Sequence, residues 1–128
     1  MALISIFDVL GPNMVGPSSS HTAGACRIAL LARKMLGEPP KEVAFTLYGS
    51  FAKTYKGHGT DRALLAGVMG CSTDDERIPK AYEMAKDAGL AWHFSRNETE
   101  TEVYPNTVDI SLTGVKGKKI SLRGESVG

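Results

Sequence analysis

The order of helical and alternating hydrophobic periods is the strongest constraint that this chain places on its fold. Residues 20–36 carry apolar side chains at helical spacing, and residues 42–48 alternate as a strand does. Three further alternating segments follow, at residues 90–96, 107–113 and 118–123. A glycine-bounded turn at residues 114–117 separates the last two, so these two predict an antiparallel hairpin.

Two further helices are predicted between the first and second strands. One covers residues 61–69 with Thr60 as its N-cap, and the other begins at residue 74 or 75 with Pro79 in its first turn. One parallel crossover and a terminal hairpin predict a mixed sheet of about four strands with helices on one face. We therefore predict a single α+β domain over residues 1–128 with an α-β-α-β-β-β core.

The composition excludes several functional classes. The formal net charge is +1 and 23% of the residues are charged, which does not provide the basic surface that binds nucleic acid. No apolar run approaches the ~20 residues of a transmembrane helix, and the apolar N-terminus lacks the basic region of a signal peptide. Cys26 and Cys71 form no metal-binding pattern and are typical of buried thiols in a reducing cytosol. A cytoplasmic protein without a membrane span is predicted.

A polar segment before the first helix, the first loop (residues 16–24), is a candidate binding site. It reads Gly-Pro-Ser-Ser-Ser-His-Thr-Ala-Gly, and its candidate residues are Ser18, Ser19, Ser20, His21 and Thr22. A helix N-terminus has unpaired N–H groups and a positive dipole end, so it favours anions. One side-chain oxygen would suffice as a cap. The additional polar groups predict a site for a small carboxylate or phosphate, and the alternative is a helix cap without further function.

A second glycine-rich segment, the second loop (residues 56–61), also leads into a helix. Its candidate residues are Lys56, Gly57, His58, Gly59, Thr60 and Asp61. The dipole at a helix start should lower the pKa of a histidine there and leave a neutral imidazole that can accept a proton. If the two loops converge, His58 or His21 is a candidate general base, although either could be an ordinary loop residue. Asn106, after Pro105, is a candidate ligand contact or a simple turn residue.

These motifs resemble those of a known family. GPSSSHTAG before an arginine-containing helix, LYGSFAKTYKGHGTD, and PNT before a strand are similar to the β-chain of bacterial iron–sulfur L-serine dehydratases, above all the two-chain enzymes. The resemblance covers residues 5–128. It implies an L-serine ammonia-lyase that yields pyruvate and ammonia. It also implies a fold similar to the allosteric substrate-binding domain of some D-3-phosphoglycerate dehydrogenases.

The resemblance implies roles for residues of both loops. Those expected to bind substrate are Ser18, Ser19, Ser20, Thr22, Lys56, Gly57, Gly59, Thr60, Asp61 and Asn106. His58 is favoured as the base, because its glycine neighbours let a ligand approach closely, and His21 is the alternative. Tyr104 stands where family members often have histidine, so no role is carried over to that position.

The resemblance also implies a partner and a cofactor. A 4Fe–4S cluster is expected on the cysteines of a partner α-chain, while Cys26 and Cys71 do not match cluster ligands. The isolated chain is therefore expected to be inactive. Family β-chains usually continue into an ACT-like regulatory domain, so this chain is expected to lack that part, and a homodimer is a further expectation. The alternative function is a regulatory module that binds serine or another anion without catalysis.

Overall fold

The computed structural model describes residues 21–54, 59–99 and 106–125 of the chain. The helices within these residues are α1 (His21–Leu36), α2 (Gly49–Thr54), α3 (Thr60–Val68) and α4 (Ala81–Asp87), and a 3₁₀ turn at Ile78–Lys80 leads into α4. The strands are β1 (Pro40–Tyr48), β2 (Ala91–Asn97), β3 (Asn106–Gly114) and β4 (Lys119–Glu125). Nowhere in this described part does a helix have the length and apolar character that a membrane span requires.

The four strands form one mixed sheet in the order β2-β1-β3-β4. β1 and β2 are parallel, whereas β3 is antiparallel to both β1 and β4. Each strand boundary lies within two residues of its predicted position, and the hairpin of the last two strands is confirmed. The α+β class and the mixed four-stranded sheet are therefore confirmed.

One face of the sheet is buried beneath the helices. Val43, Phe45 and Leu47 of β1 are fully buried and alternate with the less buried Ala44 and Thr46. Because successive strand side chains point to opposite faces, this alternation places the helices on one face, as predicted. Other fully buried members of the same core are Ile28, Leu36, Phe51, Leu64, Leu65, Ile110 and Leu112.

The start of α3 differs from its prediction by one residue. Thr60 is not the N-cap but the first helical residue, and Gly59 occupies the N-cap position without a side-chain hydrogen bond. Gly59 has φ of 82°, a left-handed conformation that costs glycine little because it has no Cβ atom. The chain therefore enters α3 through a glycine turn, and the Thr60 side chain is buried instead of capping the helix.

The prediction that the third helix begins near Asp74 or Asp75 was wrong. The first helical turn there is the 3₁₀ turn Ile78–Lys80, with Pro79 inside it as expected. The Asp75 carboxylate accepts the Arg77 backbone N–H at 2.8 Å and pairs with the Arg77 guanidinium at 2.8 and 3.0 Å. A short acidic side chain that binds the backbone competes with helix formation, so the helix begins only beyond this pair.

Candidate functional site

The N-terminus of α1 lies at the end of the domain where β1 ends and β3 begins. At the opposite end, the Lys118 ammonium donates to the Met35 carbonyl at 3.3 Å, so the last turn of α1 contacts the β3–β4 turn. α1 lies along β3 and β4, and its 16 residues span about 24 Å, the length of about seven strand residues. Its first turn therefore lies near the level of Asn106, the first residue of β3.

α3 runs beside α1 in the same direction. Ala23, in the first turn of α1, lines a cavity together with Gly59 and Ala63 at the start of α3. Further along, a Cβ atom built at Gly67 would lie 2.6 Å from the Cβ of Ala29. Early residues of one helix meet early residues of the other, and later residues meet later ones. The two helix N-termini therefore lie side by side.

Both loops that the sequence analysis selected lead into these helix starts. His21 and Thr22 begin α1, while Gly59 precedes Thr60 and Asp61 at the beginning of α3. The other loop candidates, Ser18, Ser19, Ser20, Lys56, Gly57 and His58, lie outside the described residues. The roles assigned to them stay predictions.

A cavity of about 490 Å³ opens beside the paired helix starts. It is bounded by Ala23 of α1, by Arg62 in the first turn of α3, and by residues from the segment 73–79. Arg62 brings a positive charge to this lining and Asp74 a negative one. A cavity of this size, with charges of both signs in its lining, can admit a small polar ligand. The sequence analysis missed Arg62 and Asp74, because single charged residues in exposed segments form no recognisable pattern.

Two buried polar atoms at this end have no hydrogen-bond partner within the described part of the chain: Thr60 Oγ1 and Asn106 Oδ1. Thr60 is fully buried in the first turn of α3, and Asn106 pairs with Gly49 where β1 has ended. Leaving such a group unsatisfied costs about 1–3 kcal/mol, so each calls for a specific explanation. A bound ligand that completes their hydrogen bonds is one.

The Asp61 carboxylate is almost fully buried, at 4% exposure, and both of its oxygens have protein donors. Oδ1 accepts the Arg62 backbone N–H at 2.8 Å, and Oδ2 accepts the Tyr82 hydroxyl at 2.6 Å. From the sequence, Asp61 was expected to bind substrate and no role was predicted for Tyr82. No local pattern could have revealed this contact, because the two residues belong to different helices.

The two cysteines meet in the interior, as buried free thiols. The Cys26 thiol donates to the Cys71 carbonyl oxygen at 3.4 Å. Burial, and secondarily Cys71, raises the pKa of the Cys26 thiol to about 11, and burial also raises the pKa of Cys71. Among the described residues, no group of three or more His, Cys, Asp or Glu side chains could hold a metal ion. The described residues, including the two protonated and buried cysteines, therefore do not fit a 4Fe–4S cluster, because such a cluster requires several deprotonated ligands.

The raised thiol pKa gives a prediction for stability in alkali. The unfolded chain releases the Cys26 proton near pH 9.0, whereas the folded chain retains it until about pH 11. The contribution to the free energy of unfolding is therefore complete below pH 9.0 and is lost as the pH rises toward 11. Urea unfolding across this range should show a shallower decline for Cys26→Ala than for the wild type. Parallel declines would contradict the assignment.

Comparison with known proteins places the chain in a family. The family model described as "Serine dehydratase beta chain" matches residues 5–121. The chain is 48% identical over 124 residues to the L-serine dehydratase beta chain of Peptoniphilus asaccharolyticus. It is also 48% identical over 124 residues to the probable L-serine dehydratase beta chain of Bacillus subtilis strain 168. Each match covers 97% of this chain and 56% of the relative, so the chain spans little more than half of their length.

The chain also matches a longer protein over a shorter stretch. The chain is 37% identical over 95 residues to L-serine dehydratase TdcG of Escherichia coli strain K12, which covers 68% of this chain and 21% of that protein. The family model and the two beta-chain relatives span nearly all of this chain, including both loops and the strand that begins at Asn106. The chain therefore belongs to the serine dehydratase beta chain family.

Proposed function

We propose that this chain forms one wall of the active site of an L-serine dehydratase that converts L-serine to pyruvate and ammonia together with a partner α-chain. Family membership supports the reaction, since the relatives are named for it. The observation that carries the proposal is the side-by-side placement of two helix N-termini next to the buried Thr60 hydroxyl, for which the described residues provide no hydrogen-bond partner. Paired N–H clusters of this kind favour a carboxylate ligand.

The two helix starts differ in charge, and this difference orients the substrate. The first turn of α1 contains no acidic residue, whereas the first turn of α3 contains the buried Asp61. An acidic side chain already compensates the dipole of α3, so the substrate carboxylate is better placed at α1. There Ser18, Ser19, Ser20 and Thr22 would donate to it, with Lys56 as a further positive charge. Thr60 and Asn106 would then meet the substrate's other polar groups.

The reaction is an elimination that a histidine can start. A neutral imidazole removes the proton from Cα of L-serine, and the hydroxyl on Cβ leaves as water with a proton that the imidazolium returns. The resulting aminoacrylate tautomerises to an imine, which takes up one water and releases ammonia to give pyruvate. We assign the base to His58, whose flanking glycines allow close approach, with His21 as the alternative. The water lost and the water gained balance, so L-serine gives only pyruvate and ammonia.

We place the 4Fe–4S cluster of such an enzyme on the α-chain, because the described residues of this chain do not fit it. A cytoplasmic location is proposed as well, because free buried thiols are typical of reducing compartments. Co-expression with the α-chain of the same organism tests the assignment. A stable complex that turns over L-serine, and an isolated chain that does not, are expected. Failure of the two chains to associate, or serine turnover by this chain alone, would overturn the assignment.

Thr60→Val should separate stability from function. Valine has nearly the shape of threonine but removes the buried hydroxyl, which has no hydrogen-bond partner among residues 21–54, 59–99 and 106–125. The free energy of unfolding should rise by about 1–2 kcal/mol, while turnover of L-serine by the complex should fall. Urea unfolding and steady-state kinetics provide the two measurements, and Thr60→Ser serves as a control that keeps the hydroxyl. Lower stability in Thr60→Val would mean that the hydroxyl has a partner, and unchanged turnover would exclude a substrate contact.

A regulatory module is the second candidate, favoured by the cavity of mixed charge that is bounded within this chain. In this case the cavity binds serine or another small anion without chemistry. Calorimetry with the isolated chain should then detect L-serine, and His58→Ala should leave its affinity unchanged. Binding that appears only with the α-chain present, or that depends on His58, would favour the catalytic role.

A further inference from the structure

We propose that Tyr82 is a positioning residue for the start of α3, where the second loop ends, and acts through Asp61. The proposal rests on the proposed function, in which the start of α3 forms part of the serine site. Asp61 is the last residue of that loop, and its Oδ2 accepts the Tyr82 hydroxyl at 2.6 Å. This distance is typical of a charge-assisted O–H···O hydrogen bond. A buried carboxylate with both oxygens bonded is held in one orientation, so it fixes the backbone that carries it.

The start of α3 needs such support because its N-cap provides none. Gly59 makes no side-chain cap hydrogen bond and is held in a left-handed conformation. The first helical hydrogen bond, from the Ala63 N–H to the Gly59 carbonyl at 3.0 Å, follows directly. Helix ends without caps fray readily. Asp61, bonded to the Arg62 backbone N–H and to Tyr82, supplies the side-chain anchoring that the N-cap position lacks.

Tyr82 is itself fixed to the centre of the sheet through aromatic contacts. Its ring meets Trp92 edge-on at 5.4 Å and Phe94 at 6.4 Å between centroids. Phe94 stacks on Phe45 of β1 at 4.8 Å. Aromatic pairs of this geometry are favourable beyond the area that they bury. The sheet therefore determines where the Tyr82 hydroxyl lies, and the hydroxyl in turn positions Asp61 in the first turn of α3.

Small displacements of a reacting group lower the rate strongly, so Tyr82→Phe should act on kcat. In the complex with the α-chain, kcat for L-serine should fall by about 10- to 100-fold, with a much smaller change in KM. Tyr48→Phe is the matched control. The Tyr48 hydroxyl also donates to a carboxylate, Asp109 Oδ2 at 2.7 Å, but on the face of the sheet opposite the helices. This variant should keep the wild-type kcat.

Asp61→Asn distinguishes positioning from direct binding. Under the proposal, Asp61→Asn lowers kcat about as much as Tyr82→Phe does. The kcat of the double variant is little lower than that of either single variant, because both changes disrupt the same hydrogen bond. If Asp61 instead contacted the substrate directly, Asp61→Asn would raise KM, and Tyr82→Phe would keep nearly wild-type kinetics. That pattern, or an equal loss of kcat in Tyr48→Phe, would overturn the proposal.

Hydrogen exchange supplies a readout that does not depend on turnover. In the full chain, Tyr82→Phe should accelerate exchange of the Ala63 amide by roughly tenfold or more, because the first turn of α3 loses its anchor. Tyr48→Phe should leave it unchanged. Unaltered exchange in Tyr82→Phe would overturn the positioning role even if kcat falls. A wild-type complex that does not turn over L-serine would refute the proposed function, while the exchange experiment would still decide whether Tyr82 anchors α3.

Discussion

His58→Ala should lower kcat for L-serine by roughly 10²–10⁴-fold in the complex with the α-chain, the range expected when a general base is removed. KM should change much less, because carboxylate binding is assigned to the first loop. Steady-state kinetics of the reconstituted complex measure both quantities. The assignment rests on the flanking glycines of the second loop and on the helix start that follows it.

His93→Ala is the matched control for this variant. His93 is exposed on the edge strand β2, so its loss should leave kcat unchanged. A nearly wild-type kcat in His58→Ala would remove His58 as the base, and a large loss in His21→Ala would then transfer the role to His21. An equal loss of kcat in His58→Ala and His93→Ala would mean that removing any imidazole lowers the rate, and it would contradict the assignment of His58 as the base.

Gly67→Ala should destabilise the chain by about 1–3 kcal/mol, the usual cost of overpacking a tight contact. The added methyl group would lie 2.6 Å from the Ala29 Cβ and 2.7 Å from the Cys26 carbonyl oxygen. One of these atoms belongs to the backbone of α1, so the two helices must separate. Alanine favours a helix over glycine by up to about 1 kcal/mol, which offsets only part of this cost. Because α1 and α3 also carry the paired helix starts, turnover should fall with stability.

Urea unfolding measures the stability of Gly67→Ala, and Lys86→Ala is a suitable comparison. Lys86 is exposed in α4, so its replacement should change the free energy of unfolding by less than about 0.5 kcal/mol. A Gly67→Ala chain as stable as the wild type would mean that α1 and α3 do not approach as closely as described.

The fold could be predicted because the hydrophobic periods are regular. Val43, Phe45 and Leu47 alternate with less buried residues, and this pattern alone identifies a strand with one covered face. The errors concern helix starts, where individual side chains decide the outcome. Because of the Asp75–Arg77 pair, the first helical turn before α4 begins at Ile78 and not at residue 74 or 75. At the start of α3, the left-handed Gly59 occupies the N-cap position that was expected for Thr60.

The local sequence features of the candidate site could be predicted, but the tertiary contacts that assemble it could not. A helix start rich in hydroxyl groups is visible in the sequence, whereas the parallel packing of α1 and α3 depends on the contact at Gly67. The bond between Tyr82 and Asp61 joins residues 21 positions apart. This bond could have been anticipated only from the rule that a buried carboxylate needs a hydrogen-bond donor. The burial of Asp61, however, is known only once the helices are packed.

The strand order β2-β1-β3-β4 also has a consequence for synthesis on the ribosome. β1 occupies an interior position, and both of its neighbours emerge later in the chain. Until the segment up to Gly114 has left the ribosome, Phe45 and Leu47 lack their neighbours on β3. Contacts this distant in sequence form slowly, and unpaired strands with apolar faces are prone to aggregate. Newly made chains should therefore depend on chaperones most strongly in the interval between the emergence of β1 and that of β3.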